Sequence, residues 1–337
     1  MTAQHPSPAL FFDTINAFQR TEVLRTAIEL DLFTQLASGK NTVTALAEAC
    51  QASPRGIRIL ADSLTIIGFL NKVGDQYELT ADSAVFLTRK SPAYLGGILD
   101  FLLTPEIQEC FSQLTTAVRR GGTAVSDEGT VSYDNPVWVA FARAMVPMMQ
   151  MPAQLLANLL GGDPQQPLRV LDVAAGHGLF GITVAQRYPH AKITALDWPN
   201  VLAVATENAQ RHGVADRHSL RAGSAFDIDW GGQYDVVLLT NFLHHFDLPT
   251  CQQLAAKTFA ALAPGGRAVT LEFIPAADRI TPAPTAGFAL TMLATTGHGD
   301  AYTFAEYESV FRNVGFTRNE FHPLPPTNQQ AIVSYKP

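Results

Sequence analysis

Three glycines in the run VLDVAAGHGLFGITVA carry the clearest chemical signal in this 337-residue chain. A strand-like stretch leads into Gly176, Gly178 and Gly181, and a helix-like stretch follows. Glycine permits a tight turn in which the backbone approaches a ligand, and the start of the helix favours negatively charged groups. Asp197 lies at the end of the next strand-like run, where a carboxylate can bind ribose hydroxyls. The pattern predicts a nucleotide-cofactor site.

Two classes of cofactor fit this turn. The spacing is GxGxxG, the motif of dinucleotide sites, so an NAD-linked oxidoreductase is one interpretation. Asp172 favours the other, because it lies inside the first strand, where dinucleotide folds have apolar residues and S-adenosylmethionine-dependent methyltransferases have an acidic one. Later segments follow the methyltransferase order: GSAFDID after the third strand, LLTNFLHHF at the end of the fourth and LAPGGRAVTLEF leading into the fifth.

Alternating strand-like and helix-like runs from Leu168 onward indicate how the turn is held. The strand-like runs are LRVLDVA, AKITALD, YDVVLLT, GRAVTLEFI and QAIVSY, and helix-like stretches occupy 178–188, 199–212, 250–262 and 303–315. Such alternation predicts a doubly wound, mostly parallel sheet, and the run after Gly315 predicts a closing hairpin at its edge.

The first 90 residues have a different pattern. Apolar residues recur at helical spacing from 8 to 36, Thr42 and Ser53-Pro54 are helix-start signals, and FLNKVGDQYELT contains two strand-like runs around Gly74. Helices followed by a hairpin are typical of a winged helix. Residues 1–90 hold eight Lys or Arg and nine Asp or Glu, a net charge of −1, so no basic face is available for DNA. We expect a dimerisation role, with a non-catalytic, ligand-responsive regulator as the alternative.

Residues 91–160 are expected to form helices that connect the two halves and floor a substrate pocket. They are rich in aromatic side chains and in methionine, whose flexible thioether adapts to irregular ligands. The expected pocket residues are Trp138, Phe141, Met145, Met148 and Met149, with Met292 and His298 from later in the chain. The stretch 121–134 is the clearest loop. The predicted organisation is a winged-helix domain at 1–90, a connector at 91–160 and a catalytic domain at 161–337.

Composition narrows the class of protein further. The 30 Asp and Glu against 23 Lys and Arg give a net charge of −7, which disfavours a nucleic-acid partner. Cys50, Cys110 and Cys251 are far apart, so neither a disulfide framework nor a zinc ribbon is indicated. No His, Asp or Glu grouping has metal-ligand spacing, so we expect metal-independent chemistry. Without a signal-peptide pattern or an apolar run of membrane-spanning length, we expect a cytoplasmic protein.

In the order of its motifs the chain resembles the small-molecule O-methyltransferases that carry an N-terminal winged-helix dimerisation domain, a group with plant caffeate-type and bacterial natural-product tailoring enzymes. The resemblance extends from the Phe11 helix to Tyr335. It implies a class I, Rossmann-like α/β domain with a seven-stranded sheet, a homodimer, and S-adenosylmethionine as methyl donor. It also implies a small acceptor with an aromatic or enolic hydroxyl. A same-fold enzyme with non-methylating chemistry is the remaining alternative.

The resemblance also implies roles for individual residues. His244, in Leu243-His244-His245-Phe246, matches the family's general base, and Glu272 matches a glutamate that orients it. A phenol, with a pKa of about 10, is a poor nucleophile at neutral pH, and imidazole is a suitable acceptor for its proton. The residues expected to bind the cofactor are Asp172, Ala174, Gly176, Gly178, Asp197, Trp198, Gly223, Ser224, Ala225, Phe226 and Asn241.

The chain departs from the family pattern at several positions. Ala174 and Ala175 replace glycines of the turn, and Ser224 replaces an adenine-contacting Asp, which leaves adenine to the Ser224 hydroxyl and the Phe226 ring. His245 stands where Asp is usual, and we expect it to be structural. Ala301 stands where a second orienting Glu is expected, with Asp300 and His298 as candidates for that role.

Overall fold

The computed structural model describes residues 6–126, 129 and 137–337, and the chain divides into two compact units between Leu99 and Asp100. The elements of the first unit are α1 (Ala9–Ile15), α2 (Ala17–Glu29), α3 (Leu32–Ala37), α4 (Val43–Ala49), α5 (Pro54–Ile66), β1 (Leu70–Val73), β2 (Gln76–Leu79) and α6 (Ala81–Phe86). Helices followed by a hairpin are the predicted order. Within the described residues, no helix is long and apolar enough to cross a membrane.

The helices of the first unit begin at the predicted capping residues. The Thr42 side chain accepts a hydrogen bond from the N–H of Ala45, and that of Ser53 accepts one from Gly56. The apolar faces meet in one core, which includes Leu32, Phe33, Leu46, Ile57, Leu64, Leu70 and Tyr77. In contrast, α1 buries none of its residues within the chain. Its apolar side chains are therefore left exposed.

The second unit is built on a seven-stranded sheet. Its strands are β3 (Arg169–Val173), β4 (Lys192–Asp197), β5 (His218–Ala222), β6 (Tyr234–Thr240), β7 (Leu262–Glu272), β8 (Arg318–Pro323) and β9 (Gln330–Tyr335). Their order is β5-β4-β3-β6-β7-β9-β8, and β9 is antiparallel to β7 and β8 while the other pairs are parallel. The predicted doubly wound sheet and its closing hairpin are confirmed.

Helices α12 (Leu179–Arg187), α13 (Pro199–Arg211), α14 (Leu248–Ala261) and α17 (Phe304–Asn313) end within two residues of the predicted limits. The remaining helices are α7 (Leu99–Leu102), α8 (Pro105–Ser112), α9 (Leu114–Arg120), α10 (Val137–Ala144), α11 (Val146–Leu159), α15 (Ala283–Ala286) and α16 (Phe288–Thr295). Of the predicted loop 121–134, residues 127–128 and 130–134 lie outside the described residues.

The two edge strands have a weaker signal in the sequence than the central strands. β5 (HSLRA) and β8 (RNEFHP) lie at the two edges of the sheet, and none of their residues is fully buried. An edge strand is covered on fewer sides than a central one, so its composition is more polar. Neither segment therefore contains the apolar run by which the central strands were predicted.

Two glycines let α12 pack closely against its neighbours. At Gly178 an added Cβ would lie 2.9 Å from the Cβ of Ala205 on α13, and at Gly181 it would lie 2.7 Å from Cγ2 of Ile193 on β4. Carbon atoms do not approach so closely without displacement, so the close packing of α12 requires that these side chains be absent.

We predict that Gly181→Val lowers the free energy of unfolding by about 2 kcal/mol or more, because an inserted side chain must displace Ile193 and overpacking costs about 1–3 kcal/mol. Urea unfolding measures the change. Thr183→Val is the matched control, because it places the same side chain on α12 at a half-buried position that already holds a residue of similar shape. Equal stability of the two variants would contradict the packing argument.

Candidate cofactor and active site

A cavity of about 440 Å³ opens at the carboxyl ends of β3, β4, β5 and β6. Ligands of open α/β sheets bind at this end of the strands. Nine predicted cofactor residues line it, namely Ala174, Gly176, Asp197, Trp198, Gly223, Ser224, Ala225, Phe226 and Asn241. The lining also includes His177 and His245, together with Phe180, Val201, Asp227, Thr240, Phe242 and Phe246. The structure thus brings most of the predicted cofactor set together around one space.

Asp197 fastens the turn that follows β3. Its Oδ2 accepts a hydrogen bond from the N–H of Gly176 at 2.7 Å, and its Oδ1 accepts one from the N–H of Trp198 at 2.7 Å. Gly176 has φ +57° and Ala174 has φ +52°, so Ala174 takes a left-handed conformation that favours glycine. The turn therefore keeps a glycine-type backbone at a position where this chain has alanine.

Asp172 and Gly178 were expected to line the cavity, but they shape the turn instead. Asp172 is fully buried, and its Oδ2 accepts a hydrogen bond from the N–H of Gly181 at 3.0 Å in the first turn of α12. Oδ1 of Asp172 is buried without a hydrogen-bond partner in the described part of the chain. Gly178 faces Ala205, as described above. Both residues therefore act on the backbone that surrounds the cavity.

The charges near the turn favour a cationic ligand. Burial raises the pKa of Asp172 to about 7 and that of Asp197 to about 6, although backbone hydrogen bonds partly oppose both shifts. The charge of Asp197 adds to the rise for Asp172. Among the described residues that line the cavity there is no Lys or Arg. A ligand with positive charge therefore meets the carboxyl group of Asp197 in the lining, while that of Asp172 is buried nearby.

The β5 and β6 side of the cavity is largely apolar. The Ser224 hydroxyl accepts a hydrogen bond from the N–H of Phe226 at 3.1 Å, so it serves its own turn. The Phe226 ring is 41% exposed and meets the Phe246 ring edge-on, with centroids 5.2 Å apart. Two aromatic rings beside a short polar turn form a surface suited to a flat heterocycle.

His244 lies in the single helical turn Leu243–His245 that follows β6. Its Nδ1 is hydrogen-bonded to Oε2 of Glu272, which comes from the end of β7. The other carboxylate oxygen, Oε1, accepts hydrogen bonds from the N–H groups of Phe242 at 3.0 Å and Leu243 at 2.8 Å. The side chains of His244 and Glu272 are 5% and 0% exposed. The pair predicted from the resemblance is therefore formed, and the ring is held through its Nδ1 edge.

No substitute for the second orienting glutamate reaches the His244 ring within the described residues. Ala301 is buried, and the carboxylate of Asp300 forms an ion pair with Arg279 at 3.3 Å. Asp300 meets His244 only through the backbone, where its N–H donates to the His244 carbonyl at 3.0 Å. His298 is exposed. The ring edge of Phe288 lies against His244 instead, with centroids 4.8 Å apart.

Two histidines, His177 and His245, also line the cavity. His245 lies against the rings of Trp138 and His244, at centroid distances of 5.1 and 4.2 Å, and burial lowers its pKa well below the ordinary value. Its Nδ1 is buried without a partner in the described structure. His177 stacks on Phe141, with ring centroids 6.4 Å apart. The contacts of both rings with aromatic residues of α10 are visible only in the folded structure.

The predicted substrate pocket is only partly gathered here. Trp138 and Phe141 line the cavity, whereas Met145, Met148, Met149, Met292 and His298 do not. Met149 lies behind the lining, because the side-chain N–H of Asn241 donates to its Sδ at 3.6 Å. Met145 and Met292 are buried, and Met148 is 39% exposed. Helical periodicity turns the methionines of α11 to different sides, which the clustering in the sequence did not reveal.

We predict that Asp172→Asn changes the pH dependence of stability. The folded protein keeps the Asp172 proton up to about pH 7, whereas the unfolded chain loses it near pH 3.9. The stability that this group contributes is therefore present at low pH and is lost as the pH rises from about 4 to about 7.

Asparagine does not titrate, so the variant does not lose stability in this way. As the pH rises from about 4 to about 7, its free energy of unfolding should increase relative to that of the wild type by about 2–4 kcal/mol. Urea unfolding of the cofactor-free protein at several pH values measures it, with the exposed Asp216→Asn as control. Parallel curves for wild type and Asp172→Asn would contradict the assignment.

Comparison with known proteins identifies the family. Residues 131–317 match the family model of the O-methyltransferase domain, and residues 12–89 match that of the O-methyltransferase dimerisation domain. The chain is similar to a Nostoc punctiforme PCC 73102 protein assigned as an O-methyltransferase, with 53% identity and a TM-score of 0.94 over 99% of this chain and 100% of that one.

Two further relatives agree. The tetracenomycin polyketide synthesis 8-O-methyl transferase of Streptomyces glaucescens is 29% identical over 306 residues, 89% of each chain. Human N-acetylserotonin methyltransferase, solved with S-adenosylmethionine, is 25% identical with a TM-score of 0.84 over 100% of this chain and 99% of that one. The dinucleotide interpretation of GxGxxG is thereby excluded. The chain belongs to the O-methyltransferase family and is an S-adenosylmethionine-dependent O-methyltransferase.

Proposed function

We propose that this enzyme methylates an aromatic or enolic hydroxyl of a small molecule, with His244 as general base and Glu272 as the carboxylate that orients it. The observation that carries the proposal is the buried His244–Glu272 hydrogen bond at the carboxyl end of β6, next to residues that line the cofactor cavity. Relatives named for a polyketide 8-O-methylation and for N-acetylserotonin support a small-molecule acceptor.

The cavity fits the cofactor. S-adenosylmethionine supplies, when bound, a methyl group activated on a sulfonium cation, and the lining described above has carboxyl groups but no Lys or Arg. We assign the ribose hydroxyls to Asp197, the adenine to the surface formed by Ser224, Phe226 and Phe246, and the methionine moiety to the turn at 174–177. Because Asp197 also holds the turn through Gly176, its loss would loosen the site as well as remove a ligand.

His244 is placed to accept a proton at Nε2. Glu272 accepts the hydrogen bond of Nδ1–H, so the neutral ring has its lone pair on Nε2, the atom turned away from the carboxylate. A buried carboxylate also stabilises the imidazolium that forms on protonation. His245 lacks such a partner, and its lowered pKa makes it a weaker base. The geometry therefore favours His244 over its neighbour.

Aromatic side chains surround the space we assign to the acceptor. Trp138 and Phe141 meet edge-on at 5.6 Å, and Phe288, which touches His244, stacks on Phe273 at 4.1 Å. Such rings favour flat, apolar molecules. Behind them we place Met145, Met148, Met149 and Met292 as adaptable packing, with Met149 supporting Asn241.

A methyl-transfer screen tests the acceptor class. Radiolabelled S-adenosylmethionine is offered with phenols, naphthols and stable enols, and each is paired with a saturated alcohol of the same skeleton. We expect label only in the ionisable hydroxyl compounds, because a histidine base can remove a proton with a pKa of about 10 but not that of an alkanol. Faster methylation of the alcohols, or of matched amines, would overturn the proposal.

Replacement of His244 by alanine should lower kcat by about 10² to 10⁴, the usual contribution of a positioned base, while the Kd of S-adenosylmethionine stays near that of the wild type. Turnover on a phenolic acceptor and calorimetric cofactor binding measure the two effects. His190→Ala, at an exposed site, is the control. The base is instead His245 if His245→Ala causes the larger loss of kcat.

We also propose that the enzyme is a homodimer formed through its N-terminal helices. Phe11, Phe12, Ile15 and Phe18 are each more than half exposed, and they lie within or beside α1, which buries nothing in its own chain. A cluster of this kind on a soluble protein marks an interface, since each Å² of apolar surface left in water costs about 25 cal/mol. The match of residues 12–89 to a dimerisation domain supports this.

Light scattering should give twice the chain mass for the wild type and a lower mass for the double variant Phe11→Ser, Phe18→Ser. Ile280→Ser is the control, because it removes an equally exposed apolar side chain from the second unit. If the wild type is a monomer at micromolar concentration, or if the control dissociates as readily as the double variant, the proposed interface is wrong.

A further inference from the structure

His177 occupies the middle of the cofactor turn, between Gly176 and Gly178. It is 3% exposed, and it is one of the residues that line the cavity. The ring stacks on Phe141, with centroids 6.4 Å apart and planes at 16°, and it also contacts Phe180 at 5.8 Å. The backbone is fixed as well, because the side chain of Asn208 donates to the His177 carbonyl at 2.9 Å. The ring is therefore held in one orientation at the cavity wall.

The hydrogen bonds of the ring determine where its proton lies. The N–H of Leu179, in the first turn of α12, donates to Nδ1 of His177 at 3.1 Å. Nδ1 is thus an acceptor and carries no hydrogen, so the hydrogen of the neutral ring is on Nε2. Burial lowers the pKa of His177 to about 4, and the positive end of the α12 dipole also opposes a charged ring. His177 is a neutral donor at physiological pH.

The turn itself has little capacity left for an anion. Five backbone N–H groups of the turn and the start of α12 already have acceptors within the protein. Those of Ala175 and Gly178 donate to the carbonyls of Leu196 and Ala175. The remaining three donate to side chains: Gly176 to Asp197, Leu179 to His177 and Gly181 to Asp172. In many nucleotide sites such groups bind the ligand. Here the protein's own acceptors use them, and no Lys or Arg is present among the described lining residues. A carboxylate entering this end of the cavity therefore finds few free backbone donors, and a side-chain donor at the cavity wall can bind it.

We infer that Nε2–H of His177 donates a hydrogen bond to the carboxylate of the methionine moiety of S-adenosylmethionine. The inference rests on the orientation of the cofactor given under the proposed function, with ribose at Asp197 and methionine at the turn. Nδ1 couples the ring to the start of α12, and Nε2 faces the ligand. One histidine thus replaces the backbone donors that Asp172 and Asp197 have taken.

Two substitutions of His177 distinguish the role of Nδ1 from that of Nε2. His177→Asn places an acceptor near the position of Nδ1 but has no donor as far out as Nε2. His177→Gln places a donor near Nε2 and loses the short-range acceptor. The probes are S-adenosylmethionine and decarboxylated S-adenosylmethionine, which has the same adenosine, sulfonium and amine but no carboxylate, with each Kd measured by calorimetry.

We expect the wild type to prefer S-adenosylmethionine over the decarboxylated compound by about tenfold to a hundredfold, as for hydrogen bonds to charged groups. His177→Asn should abolish this preference by weakening only the carboxylate-bearing ligand, and His177→Gln should keep most of it. Phe226→Leu is the matched control and should weaken both ligands equally, since it acts on the adenine, which the two ligands share.

A wild type without preference, or an asparagine variant that retains it, would overturn the inference. If the asparagine variant does not fold, as judged by circular dichroism, His177→Phe replaces it, because phenylalanine keeps the ring contacts and lacks the donor. If Phe226→Leu changes only the binding of S-adenosylmethionine, the assigned orientation of the cofactor fails instead, so the two failures are distinguishable.

Discussion

Carboxylates at the ends of parallel strands hold the turns of the neighbouring strands, and the site depends on this arrangement. Asp197 ends β4 and binds the N–H of Gly176 after β3, and Glu272 ends β7 and binds the N–H groups of Phe242 and Leu243 after β6. A carboxylate accepts several hydrogen bonds at once, so one side chain can fix a whole turn. Because side chains alternate along a strand, a slip of one residue in register would turn both carboxylates away.

These carboxylate–backbone hydrogen bonds affect the proposed base at one turn and the cofactor-binding backbone at the other. At Glu272 the backbone bonds leave one carboxylate oxygen for the His244 ring, so the group that builds the turn also orients the proposed base. At Asp197 and Asp172 the bonds use the backbone donors of the cofactor turn. We therefore infer that the His177 side chain binds a ligand group that glycine-rich turns elsewhere bind with backbone N–H groups.

The sequence was sufficient for features that depend on local pattern. Apolar runs located the central strands, and Thr42 and Ser53 located helix starts, because these signals lie within a few residues of one another. The edge strands gave weaker signals, and the position of the methionines outside the cavity lining was not foreseen, because exposure at a sheet edge and the side to which a helix turns follow from tertiary packing. His245 was expected to be structural because it stands where the family has Asp, and its contact with Trp138, which is distant in the chain, is visible only in the folded structure.

The two aspartates near the cofactor turn have a consequence for turnover. The pKa values of Asp172 and Asp197 are about 7 and about 6, so near neutral pH both carboxyl groups are partly protonated while the cavity is empty. Methyl transfer converts a sulfonium into a neutral thioether, so the spent cofactor has one positive charge fewer than the fresh one. Binding of S-adenosylmethionine should therefore release protons from the two aspartates, and methyl transfer should lead the aspartates to take up protons again. The cavity thereby favours S-adenosylmethionine over S-adenosylhomocysteine by charge. At mildly alkaline pH the affinity difference between the two should be larger, and inhibition by the product should be weaker.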